Sequence, residues 1–289
     1  MSSYANPEAL VSTAWLEQHL EEPDVVVVEV DEDTGLYADP GHIPGAVLWD
    51  WNADLHHPVQ RDYLDQAALS ELLARSGIGK DQVVVLYGGN SNWFAAYAYW
   101  LLALRGFGAV RLLDGGRKKW ELERRPLTRE SSDPARPSDP VTLGSTRDDL
   151  RAKRDYVLGS LGSTRFVDVR SPGEFDGSVL APPHLPQEQP YAGGHIPGAF
   201  NIPWSKAVKE DGSFLPPDAL EALYRPVLEA SNGSDVVAYC RIGERAAHTW
   251  FALHELLGVK RAKNYDGSWT EYGSLVGVPV ETGAQGGDR

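Results

Sequence analysis

Short apolar runs alternate with amphipathic stretches along the chain, and the whole series occurs twice. In the first series Val25–Val30 is a β-branched run of strand length. Leu69–Leu73 lies in a helical stretch opened by Asp65 as a cap and closed near Gly77. Val83–Tyr87 reads as a buried strand, Trp93–Leu104 as a helix ending near Gly106, and Val110–Leu113 as a short strand. The second series predicts strands at Arg165–Val169, Val236–Tyr239 and Ala262–Tyr265, with helices at Leu220–Leu228 and Arg245–Leu257. Short apolar strands separated by helices predict an α/β fold of two tandem domains. Each is expected to be a mainly parallel sheet flanked by helices on both faces.

The repetition extends to residue identities. Gly41-His42-Ile43-Pro44-Gly45-Ala46 recurs unchanged as Gly194-His195-Ile196-Pro197-Gly198-Ala199, 153 residues on. Val83–Tyr87 corresponds to Val236–Tyr239, and Leu112-Leu113-Asp114-Gly115 to Lys263-Asn264-Tyr265-Asp266-Gly267, at spacings of 152 or 153. Three collinear matches at nearly one spacing are the mark of a duplication. The predicted division is a domain over 1–125, a linker rich in Pro, Ser, Asp and Arg over 126–142, a second domain over 143–283, and a small polar tail over 284–289. Val179–Gly194 contains four prolines and has no counterpart of that length in the first half, the mark of a functional or mobile loop.

A length of 289 residues agrees with two domains, and 42% hydrophobic with 24% charged residues is ordinary for a globular protein. The apolar run Val25–Val28 is too short for a signal-peptide core or a membrane span, so a cytoplasmic protein is expected. A net charge of −14 argues against a nucleic-acid or anionic-membrane surface, and it requires any site for an anion to be made positive locally. The single cysteine, Cys240, excludes an internal disulfide, a CxxC pair and a thiolate zinc cage. A reactive Cys240 must therefore hand its chemistry to an external partner.

Cys240 ends a predicted strand and is followed by Arg241-Ile242-Gly243-Glu244-Arg245 and then a helix. The carboxyl end of a strand in such sheets is where ligands bind. Backbone N–H groups of a tight turn eased by Gly243, the helix dipole and two arginines are all expected to favour the thiolate. The competing reading is an inert core cysteine, which a lone Cys usually is. The polar, charged flank speaks against it.

Cys240-Arg241-Ile242-Gly243-Glu244-Arg245 resembles the active-site loop of the rhodaneses, the thiosulfate sulfurtransferases. His195–Ala199 after Tyr191 resembles that family's first signature, and Ala262–Tyr272 its second. The likeness spans nearly the whole chain and is strongest for two-domain enzymes of the actinobacterial type. It implies a ping-pong reaction without a cofactor or metal: Cys240 attacks the outer sulfur of thiosulfate, sulfite leaves, and the resulting persulfide passes its sulfur to cyanide, a thiol or a protein acceptor. Arg241 and Arg245 are the candidates for holding the sulfonate, with Ile242, Gly243 and Glu244 completing the loop and Arg170 a cation behind it. An ion pair is the competing role for Arg245, and pairing with Asp168 for Arg170. Gly88 stands opposite Cys240, so the first domain is expected to be silent, with packing and substrate shaping as its implied role.

The chain also departs from relatives. Mercaptopyruvate sulfurtransferases, the alternative, carry Gly and Ser where Arg241 and Ile242 stand, and an arginine where an ungapped match places Glu174. Both differences favour thiosulfate. Glu244 would oppose thiolate formation if it faced the sulfur, so it is expected to point outward or pair with an arginine. His42 and His195 are read as turn caps, and the adjacent His56 and His57 lack metal-site company. Trp93, Trp100, Trp250 and Trp269 are read as core. A phosphatase, which uses a longer Cys-to-Arg loop, and a non-enzymatic persulfide carrier are the rivals from other classes.

Overall fold

The computed structural model describes residues 3–182 and 189–284, in two compact units. One comprises residues 8–147 with 210–213. The other comprises the first seven residues with 148–209 and 214–289. The duplicated strand–helix series folds as two parallel sheets flanked by helices, as the periodicity requires.

In the first unit the strands are β1 (Leu10–Val11), β2 (Val25–Asp31), β3 (Val47–Asp50), β4 (Val83–Tyr87) and β5 (Val110–Leu113), in the order β1-β5-β4-β2-β3. Its helices are α1 (Thr13–His19), α2 (Gly35–Ala38), α3 (Trp51–Leu55), α4 (Gln66–Arg75), α5 (Trp93–Leu104) and α6 (Gly116–Leu122). Asp65 caps α4 by accepting from the Ala68 N–H at 2.8 Å. All pairings are parallel; Val28 lies opposite both Val47 and Leu86, so β2 is covered on both edges.

The second unit repeats this with β6 (Arg165–Asp168), β7 (Phe200–Asn201), β8 (Val236–Tyr239) and β9 (Ala262–Asn264), in the order β7-β6-β8-β9. Its helices are α7 (Arg154–Gly159), α8 (Pro172–Asp176), α9 (Pro217–Ser231), α10 (Glu244–Phe251) and α11 (Ser268–Tyr272). α10 continues into a π-helical turn at Ala252–Leu256, so the helix expected over 245–257 changes its hydrogen-bonding pattern midway. The counterpart of β1 is reduced to one parallel bridge, Arg151 to Asn264. Phe166, Phe175, Ile196, Val237, Tyr239 and Trp269 form one buried cluster beneath the sheet end. Each aliphatic or Phe side chain there contributes about 1.5–3 kcal/mol.

The repeated hexapeptide performs the same task twice. His42 exchanges backbone hydrogen bonds with Thr128, and His195 does so with Glu281. The Ile43 N–H donates to the Tyr87 hydroxyl at 3.0 Å, and the Ile196 N–H to the Tyr239 hydroxyl at 3.1 Å. Each turn is thereby tied to the strand that precedes its unit's key loop. Residues 126–142, read as a linker, lie in the first unit, with antiparallel bridges at Thr128 and Pro140. Most of the 284–289 tail and residues 183–188 of the Val179–Gly194 loop fall outside the described residues. Among the described residues, no helix is long and apolar enough to cross a membrane.

Candidate active site

β8 delivers Cys240 to the carboxyl edge of its sheet, and the start of α11 fixes the backbone there. The Cys240 N–H donates to Ser268 Oγ at 3.0 Å, while Ser268 Oγ–H donates to the Tyr265 carbonyl at 2.6 Å. The Trp269 and Thr270 N–H groups donate to the Cys240 and Arg241 carbonyls, each at 3.0 Å. Gly243 turns the chain into α10 with φ +105°, and a Cβ on it would lie 2.8 Å from the Asp266 Cα. Both the torsion and the contact require glycine at this position.

The turn directs two N–H groups at the sulfur. Gly243 N–H donates to Cys240 Sγ at 3.1 Å, and the Ala246 N–H does so from the first turn of α10. The Sγ–H in turn donates to Glu244 Oε2 at 3.4 Å. Cys240 is fully buried. Burial pushes its thiol up and the Glu244 carboxylate adds to the rise; Arg245 and the N–H groups of Ala246 and Gly243 oppose without prevailing. Arg245 and the loop N–H groups thus act in the expected direction, favouring the thiolate, but burial and Glu244 outweigh them at the resting site. Of the two placements expected for Glu244, outward or paired with an arginine, the structure shows the second: the carboxylate is buried, its Oε1 lies 3.5 Å from Arg245 Nε, and its other oxygen faces the sulfur. Its position at the N-terminus of α10, four residues after the cysteine, folds it back over Sγ.

Arg245 holds a second carboxylate. Its two terminal nitrogens donate to the two Glu174 oxygens, each at 3.2 Å. Glu174 is the third residue of α8 and closes a capping box: Ser171 Oγ accepts from the Glu174 N–H at 3.3 Å while the Ser171 N–H donates to Glu174 Oε2 at 3.1 Å. Burial raises the Glu174 carboxyl, but Arg245, Arg170 and Ser171 outweigh it and hold it below its ordinary range. Arg170 is buried, grips both Asp168 oxygens, donates to the Gly194 carbonyl at 2.7 Å and lies 4.8 Å over the Trp269 ring. Of the residues singled out from sequence, Cys240, Gly243, Glu244 and Arg245 meet around the sulfur. Arg241 is buried in the same loop and Ile242 is half-buried. Arg170 faces Asp168.

The first unit fills the equivalent space differently. A Cβ on Gly88 would lie 2.3 Å from the Val30 carbonyl oxygen, so no side chain fits where the cysteine would stand. Asn92 occupies the position equivalent to Glu244; its Oδ1 accepts from the Gly88 N–H at 3.0 Å and its Nδ2 donates to the Leu113 carbonyl at 2.7 Å. The repeated histidines have parallel surroundings. His42 Nδ1 lies 2.8 Å from the Tyr37 carbonyl and His195 Nδ1 2.8 Å from the Phe175 carbonyl, each stacked on the same residue's ring. Sequence reasoning missed Ser171 and Ser268. The Ser171-Pro172-Gly173-Glu174 run was a legible capping-box signal for the first, while Ser268 acts through a backbone contact that no motif advertises.

Tandem parallel sheets with one cysteine in an N–H-lined turn define a class that comparison with known proteins identifies. The rhodanese-like domain profile matches residues 12–123 and 153–275, and the chain belongs to the rhodanese family. It is 55% identical over 280 residues to a Mycolicibacterium smegmatis protein named "Putative thiosulfate sulfurtransferase", covering 97% of this chain and 100% of that one. It is 50% identical over 287 residues to the sulfur carrier protein TtuD of Thermus thermophilus, covering 98% and 99%. A solved 3-mercaptopyruvate sulfotransferase from Escherichia coli superposes with a TM-score of 0.74 at 25% identity, covering 90% of this chain and 98% of that one.

Proposed function

We propose that the protein is a thiosulfate sulfurtransferase that carries sulfane sulfur as a persulfide on Cys240 and passes it to cyanide or a thiol. The observation that carries this reading is the convergence of the Gly243 and Ala246 N–H groups on the Cys240 sulfur at the strand end. Donors fixed by the fold stabilise an anion without reorganisation, and the terminal sulfur of a persulfide is such an anion. The names of the mycobacterial relatives support thiosulfate as the donor. Glu174 in place of a cation opposes a carboxylated donor such as mercaptopyruvate, since Arg245, which it engages, already has two carboxylate partners. No cofactor or metal enters the scheme. Arg241, buried in the same loop, is proposed to hold the sulfonate, and Arg245 acts by balancing Glu174 and Glu244. A cytoplasmic enzyme acting on small molecules fits this reading.

A second reading has its own observation. The Thermus relative is named a sulfur carrier, so a protein acceptor is proposed as an alternative destination for the persulfide sulfur. Steady-state kinetics with thiosulfate and cyanide test the first. Parallel double-reciprocal lines for thiocyanate formation, lost in Cys240→Ala and absent with 3-mercaptopyruvate, are expected. Faster turnover with mercaptopyruvate would reassign the donor. Sulfur transfer to a protein thiol with none to cyanide would favour the carrier.

A further inference from the structure

Glu244 faces the reacting sulfur from inside the loop, and we infer that it accepts the Cys240 thiol proton and stores it while sulfur is carried on the cysteine. The inference deepens the sulfurtransferase reading and rests on it. Its basis is the placement of two buried groups: Sγ lies 3.4 Å from Glu244 Oε2, while Oε1 turns to Arg245 Nε at 3.5 Å. One carboxylate oxygen is thus stabilised by a cation and the other is aimed at the thiol proton.

The surrounding charges make transfer within the pair the economical route to a thiolate. Arg241 and Arg245 belong to the same loop and helix. Glu174 from α8 shares Arg245, and behind it Arg170 is held by Asp168 at the end of β6. Asp266, packed under Gly243, is matched by Arg151 at 2.9 Å. Releasing the thiol proton to solvent would leave two anions 3.4 Å apart in a fully buried site just as a dianionic donor approaches. Moving that proton to Oε2 creates the nucleophile with no change in net buried charge.

The steps balance. The Sγ proton passes to Glu244, the Sγ electron pair forms a bond to the outer sulfur of thiosulfate, and the sulfur–sulfur bond of thiosulfate breaks with its pair leaving on sulfite. The persulfide terminal sulfur carries one negative charge beside a neutral, protonated Glu244. Cyanide then attacks the outer sulfur, the Cys240–sulfur bond breaks with its pair returning to Sγ, and Glu244 gives the proton back. Cysteine and carboxylate therefore share a single proton through the cycle.

The test is the pH profile of single-turnover persulfide formation, followed by rapid quench and intact mass from pH 6 to 10, for the wild type and Glu244→Gln. With a shared proton, the wild-type rate constant changes less than about twofold between pH 6 and 8 and falls once that proton is lost. In the Gln variant the thiol must ionise alone, so its rate constant rises about tenfold per pH unit up to a plateau. A wild-type rate constant that rises about tenfold per unit over the same range overturns the inference, whether or not the variant folds. So does a Gln variant that is faster at every pH, because Glu244 would then only repel the thiolate. No wild-type persulfide at any pH removes the sulfurtransferase reading itself and this inference with it.

Discussion

Arg245 is the cation on which two buried carboxylates depend, and its truncation has a calculable effect. Glu174 and Glu244 are 1% and 2% exposed, so neither has water to replace the guanidinium. In Arg245→Met the apolar stem is retained while both carboxylates lose their guanidinium partner. Breaking one buried pair in this way costs about 3–5 kcal/mol. Glu174→Met alone leaves Arg245 with Glu244 and so costs less than the loss of Arg245. The double variant removes cation and carboxylate together, and its destabilisation is expected to fall short of the sum of the singles by about 1–3 kcal/mol. Urea denaturation of the three variants, followed by near-ultraviolet circular dichroism, measures the cycle. Additive effects, or a loss below about 1 kcal/mol for Arg245→Met, would refute the view that charge balance around the sulfur rests on this arginine.

Acid should weaken the fold in two stages. His248 is fully buried between Phe214 and Trp204, neither ring nitrogen has a hydrogen-bond partner among the described residues, and burial lowers its pKa to about 3. The unfolded chain binds this proton first, so stability falls as pH drops below 6.5, by about 2 kcal/mol at pH 5. Denaturant midpoints against pH should show this slope, and His248→Leu should remove it. Glu174, held below its ordinary value of 4.5, contributes stability present above that pH and lost as pH falls through its folded value, a second loss that Glu174→Gln should abolish. Gly88→Cys placed in Cys240→Ala is expected to gain no sulfur from thiosulfate and to lower the melting temperature, because its Cβ meets the Val30 carbonyl; persulfide on residue 88 by intact mass would contradict this. Gly243→Ala should slow persulfide formation at least about tenfold, since a left-handed torsion and the Asp266 backbone both resist a Cβ there; unchanged rapid-quench kinetics would count against the N–H cradle.

Fold legibility followed element length. The five-residue run Val83–Tyr87 and the twelve-residue helix Trp93–Leu104 have the bounds that their apolar patterns predict, because each buries enough surface to write its own periodicity. β1 and β7, of two residues each, carry no period and are set by neighbours, Leu112 opposite Leu10 and Val167 opposite Phe200. At the site, the glycine turn and the cysteine were local and could be read. Glu174 and Arg245 are 71 residues apart in sequence, and their meeting depends on where α8 and α10 start. Glu244 pairs with an arginine as one of the two expectations had it, but its approach to the sulfur was not legible: like-charge avoidance was weighed against a free thiolate, whereas the buried group is a thiol that donates to the carboxylate.

Intact mass spectrometry after incubation with thiosulfate tests the central claim most directly. The account predicts a gain of one sulfur atom, located on Cys240 and removed by cyanide with formation of thiocyanate. An unchanged mass with thiosulfate, or added sulfur that persists in Cys240→Ala, would contradict it.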